Sequence, residues 1–122
     1  MANAVSKIPF SASTQGQGIK VAATASAGTL IHTTGTSATT IDEMWIRFYN
    51  AHTADVLVTI EFGGATAPDQ NIVLTVPFKS GLVWAVDGLP LLGSGTVALT
   101  VKVFAATTNV IIAYGFVNRI QP

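Results

Sequence analysis

The chain has 122 residues and no cysteine, with six acidic side chains balanced by six basic ones. Charged residues make up 10% and hydrophobic residues 49%, where an ordinary globular domain carries about 25% charged residues. This excludes a field that gathers phosphate groups, leaves no room for a second core, and describes a surface expected to be covered by other protein.

The mean hydropathy of +0.53 does not describe a membrane-spanning helix, because no apolar run approaches the roughly 18 residues that one needs. The hydrophobicity belongs to strands. Met1 to Lys7 lacks the basic start and apolar core of a secretion signal, so cytoplasmic synthesis is expected. The six Lys and Arg are scattered from Lys7 to Arg119, which argues against a nucleic-acid partner.

Residues 1–18 read as an extended, flexible N-terminal arm. Ser11 to Gly18 is small and polar and unable to bury apolar surface, and Ile8 and Phe10 before it are candidate anchoring residues. Residues 19–122 read as a single antiparallel β-sandwich. Strands are predicted at Ile19–Ala23, Thr29–Thr34, Met44–Asn50, Val56–Phe62, Asn71–Pro77, Gly81–Val86, Thr96–Phe104 and Val110–Arg119, with Gly, Pro, Asn, Asp and Ser clusters between them.

Alternation assigns the faces. Met44, Ile46 and Phe48 are expected inside and Trp45, Arg47 and Tyr49 displayed, the composition of an interface hot spot. Trp84 is a further candidate contact residue. Val56, Val58, Ile60 and Phe62 oppose Leu57, Thr59 and Glu61, and Val97, Leu99, Val101 and Val103 form another inner face. The last strand is apolar on both sides, as a central strand is. Ala105 to Thr108 predicts a hairpin between the last two strands, Gly63 to Gln70 a longer loop, and Pro90 a position away from any sheet centre. About eight such strands fit a jelly roll.

No chemical motif stands out. His32, His52, Asp55 and Glu61 would be the ligands of a metal site, but none of the characteristic spacings is present. Asp42 and Glu43 are adjacent on one strand and so face opposite ways, against paired acid–base work; a cation for one of them is expected, with Arg47 the nearest candidate. Glu43, His52 and Asp55 are the groups an enzyme would have to use. There is no nucleophile elbow, and Gly93-Ser94-Gly95 lacks the Lys of a phosphate loop. No enzyme activity and no cofactor are expected.

Ala27-Gly28-Thr29-Leu30-Ile31-His32-Thr33, Ile41-Asp42-Glu43-Met44-Trp45-Ile46, Thr59-Ile60-Glu61-Phe62-Gly63-Gly64, Val103-Phe104-Ala105-Ala106 and Gly115-Phe116-Val117-Asn118-Arg119-Ile120, in that order, resemble a family of small virion proteins of tailed bacteriophages. The resemblance covers about Ala27 to Ile120. It implies a capsid decoration, or cement, protein: a homotrimer on the outer surface of the head that bridges major capsid protein subunits, with an N-terminal arm over the shell. A head-fibre or tail component, or a virion carbohydrate-binding module stacking sugars on Trp45, Tyr49 or Trp84, is the alternative.

Overall fold

The computed structural model describes residues 4–122, and the first residues of the expected arm lie outside the described residues. Nine strands are present among them: β1 (Ala4–Ile8), β2 (Ile19–Lys20), β3 (Thr29–Thr33), β4 (Ile41–Asn50), β5 (Val56–Phe62), β6 (Asn71–Val76), β7 (Val83–Leu91), β8 (Thr100–Ala105) and β9 (Ile111–Gln121). They form two packed antiparallel sheets, a β-sandwich. The first sheet runs β1-β9-β4-β7 with β2 also on β9, and the second runs β3-β8-β5-β6.

Each long strand sends one face inward, so alternation in sequence becomes the core. Met44, Ile46 and Phe48 of β4 meet Ile31 of β3, Val58 and Ile60 of β5, and Val101 and Val103 of β8, all fully buried. β9 is central, as its two apolar sides predict, with β4 on one flank and β1 and β2 on the other. Pro90 sits in β7, an edge strand, where its missing N–H is tolerated. Asn50 ends β4 by donating to the carbonyls of Ala54 and Val76 and accepting from the His52 N–H, which ties the next turn onto β6.

Several expectations change. The loop after Ala105 makes no hairpin: β8 already has β3 and β5 as neighbours, and β9 has β4 and the β1/β2 edge, so the chain crosses between sheets there. Residues 21–23 strap this crossover, Val21 and Ala23 accepting from the N–H groups of Asn109 and Ala105, and Ala22 from the Thr108 hydroxyl. β5 and β6, by contrast, pair as an antiparallel hairpin. Thr96 to Leu99 stay outside β8 and Val97 is exposed, because the chain turns at Gly95.

The arm also differs from a free tail over its described part. Residues 4–8 pair with Val117 to Gln121. Phe10 is 3% exposed and belongs to the core, and Ala12 donates to the Ile31 carbonyl while the Ser11 hydroxyl accepts from Thr33 N–H. Burial of one aromatic ring anchors a segment whose composition reads as polar linker.

Candidate interaction surface on the outer face of the first sheet

β4 alternates without a break, with even-numbered residues buried and Glu43, Trp45, Arg47 and Tyr49 half-buried on the outer face. Register supplies their neighbours. Trp45 lies opposite Phe116 of β9, Arg47 opposite Tyr114, Tyr49 opposite Ile112 and Glu43 opposite Asn118. On the other flank Arg47 lies opposite Trp84 of β7.

These positions assemble a row of rings capped by cations. Trp45 stacks on Phe116, with centroids 5.8 Å apart and planes at 12°, and meets Trp84 edge-on, with centroids 5.8 Å apart and planes at 66°. The Arg47 guanidinium carbon lies 3.6 Å from the Trp84 ring centre, and Lys7 Nζ of β1 lies 4.2 Å from that of Phe116. Each aromatic pair is worth about 0.5–1.5 kcal/mol beyond its buried area and an exposed cation over a ring about 0.5–1 kcal/mol.

Glu43 holds the row from below. Its Oε1 accepts from Trp45 Nε1 at 2.8 Å and from Asn118 Nδ2 at 3.1 Å. The Trp45 bond first, then that of Asn118, holds the carboxyl below its ordinary range against a small opposing effect of burial. Gly88 makes room for the indole: at its φ of +80° a Cβ would lie 3.0 Å from Trp45 Cζ2, a conformation and a clearance that suit glycine. The side chains are thus ordered before any partner arrives, which lowers the entropic cost of binding.

The expected contact residues divide. Trp84 meets both Trp45 and Arg47, Tyr49 shares their face one row on, Ile8 packs partly buried against the core, and Phe10 is inside it. Phe10 is therefore not presented to a partner. Phe116 and Lys7 complete the row and were missed; the alternation of Tyr114 and Phe116 was the available signal for the first, while Lys7 arrives only through the pairing of β1 with β9.

The candidate chemical residues scatter. Asp42 takes Arg119, not Arg47, as its cation, with Nε to Oδ1 and Nη2 to Oδ2 both at 2.8 Å. His32 Nε2 lies 2.7 Å from Asp42 Oδ2, and His32 Nδ1 accepts from the Ser11 backbone N–H at 3.0 Å, so the imidazole proton sits on Nε2. The Ser11 hydroxyl is turned to Thr33, away from the imidazole. Glu61 is buried on the outer side of β5, accepting from Ser26 Oγ at 2.6 Å and Gly28 N–H at 2.7 Å. His52 and Asp55 serve turns, Asp55 accepting from Phe78 N–H. The described residues contain no group of three His, Asp or Glu placed to hold a metal ion.

No protein-family model matches the chain, and a search of curated proteins returns no match.

Proposed function

We propose that this chain is a non-enzymatic structural protein of a tailed-phage virion, a capsid decoration protein that sits on the outside of the head as a homotrimer and bridges major capsid protein subunits. The carrying observation is the preformed row of Lys7, Phe116, Trp45, Trp84 and Arg47. Tryptophan and arginine dominate the energetic centres of protein interfaces.

The fold supports this reading. With β1 and β2 taken as one interrupted edge strand, the chain deals its strands alternately to the two sheets except at the β5–β6 hairpin, the interleaving of a jelly roll. Charge supports it as well: zero net charge removes the self-repulsion that opposes a dense array. The chain would act by binding the expanded lattice better than its alternatives, stabilising that state by the difference in affinity, and several contacts per trimer would act together through effective concentration. It needs no cofactor, nucleic acid or membrane.

A sugar-stacking role suits the surface less well. Phe116 takes one face of Trp45 and Arg47 one face of Trp84, which reduces the ring surface open to stacking on a sugar.

The test is addition of the purified protein to heads that lack it, followed by image reconstruction. Density on the head exterior between capsomers is expected, with occupancy at least tenfold lower for Trp84→Ala or Arg47→Glu. Absence from heads, or density confined to the tail, overturns the reading, and glycan binding lost with Trp84→Ala moves the assignment to a carbohydrate module.

A further inference from the structure

Three of the four sheet edges carry a device against adding strands. β7 has Asp87, Pro90 and two register shifts against β4. β1 carries Lys7. β3 is closed by its own chain, through the Ala12 N–H on the Ile31 carbonyl and the Ser11 hydroxyl on the Thr33 N–H. Charge, proline, irregular register and covering loops are the ways native proteins block edge pairing.

β6 has none of these. Its sequence, Asn-Ile-Val-Leu-Thr-Val, contains no charge, glycine or proline. Val73 is 57% exposed and Thr75 is exposed beside it. The direction of the free backbone groups follows from the register. Phe62 N–H bonds the Gln70 carbonyl, and with Ile60 opposite Ile72 and Val58 opposite Leu74, the even-numbered residues of β6 bond to β5. Ala106 N–H on the Leu57 carbonyl agrees, since it turns Leu57, opposite Thr75, toward β8. The N–H and C=O of Val73 and Thr75 therefore point away from the sheet. Among the described residues nothing bonds to them.

Both ends of this open stretch are closed. Asn71 N–H is taken by the Pro68 carbonyl, and Pro77 has no N–H to offer. An antiparallel strand with the same sequence fits one register: a two-fold axis at Leu74 sets Val73 against Thr75 of the other copy, and each pair exchanges both of its backbone bonds. Displacing the axis to Val73 calls on Asn71 N–H, which is occupied. The uncharged strand offers its own copy no repulsion, and Leu57, next to Thr75 on the outer face, lengthens the apolar row across the axis.

We propose that β6 is an assembly strand, pairing with β6 of a second copy across a two-fold axis at Leu74 to join two second sheets into one continuous sheet. This is strand addition with an isologous interface. It is separate from the aromatic face and does not rest on the virion reading. In a head decorated with trimers it would link neighbouring trimers.

Sedimentation equilibrium and hydrogen exchange on the full chain test it. Association by a two-fold contact is expected, with the Val73 and Thr75 amides gaining protection as concentration rises, and with dissociation constants at least tenfold weaker for Thr75→Pro and Val73→Lys. Circular dichroism of each variant reports folding, and if Thr75→Pro does not fold, Val73→Lys decides. A chain that stays unassociated at millimolar concentration, or association that a folded variant leaves unchanged, overturns the proposal.

Discussion

Arg119 on β9 grips Asp42 on β4 through two parallel bonds of 2.8 Å, and the carboxylate they hold is 1% exposed. The geometry is the bidentate fork that arginine makes with carboxylates. Its remaining partner, His32, brings in β3, so one carboxylate joins the two sheets and, through the Ser11 N–H, the segment after β1. Asp42→Asn leaves a guanidinium without its counter-charge and is expected to cost about 3 kcal/mol, the low end for breaking a buried pair, because Arg119 is 32% exposed and reaches water. Denaturant unfolding of both proteins checks it.

The same carboxylate gives stability a pH dependence. Burial alone would raise its pKa, but the hydrogen bonds of Arg119 and then His32, with the charge of Arg119, outweigh burial and hold it below its ordinary 3.8. The folded protein thus binds this proton less readily than the unfolded chain. The contribution is full above 3.8 and is lost as pH falls through the lower folded value. The stability difference between wild type and Asp42→Asn is expected to hold steady from neutral pH down to 3.8 and to shrink below it. A difference that grew on acidification would contradict the assignment.

Phe10 separates the two halves of the N-terminal segment. Phe10→Ala is expected to cost about 3–4 kcal/mol, as for other buried aromatic rings, whereas deletion of residues 1–8 removes an edge strand exposed from Ala4 to Lys7 and leaves a cooperative fold. Thermal unfolding of the two variants ranks them. The opposite ranking would mean that the edge strand, not the ring, fixes the segment.

Gly115 has φ +147°, and a Cβ there would fall on the Trp45 carbonyl oxygen and within 2.8 Å of Phe10 Cζ. Gly115→Ala is therefore expected to destabilise by about 3 kcal/mol or more. Gly35, with nothing within 4 Å of an added Cβ, is the control, and Gly35→Ala is expected to stay within about 0.5 kcal/mol of wild type. Equal midpoints in urea would refute the close approach of β4, β9 and Phe10.

Glu61 fastens residues 26–28 over the second sheet. Glu61→Ala removes the acceptor of the Ser26 hydroxyl and the Gly28 N–H and is expected to raise the Gly28 amide exchange rate by tenfold or more, at a stability cost of about 2–3 kcal/mol for charged hydrogen bonds and the space left behind. Unchanged exchange at Gly28 would show that the segment is held by other contacts.

Alternation along β4 was legible because the strand period of two acts residue by residue: it sorted Met44, Ile46 and Phe48 from Trp45, Arg47 and Tyr49 without knowledge of any neighbour. The loop from Gly63 to Gln70 was legible too, but the pairing of β5 with β6 across it came only with the structure. Glu61 was legible as outward-facing but not as buried, since the residues that cover it come from 33 and 35 positions away. The loop after Ala105 read as a hairpin because loop length reports only that two strands are close in sequence; which sheet each joins depends on strands laid down long before.

The amino-acid sequence by itself determined an all-β chain with its inner and outer faces, because patterning and turn residues act over a few positions. Tertiary structure alone decided the partners: Arg119 for Asp42 across 77 positions, Lys7 for Phe116, Phe10 for the core, and β6 for an open edge. Those pairings arise from the order in which strands enter two sheets, a property of distant segments competing for the same neighbours, and no local pattern encodes it.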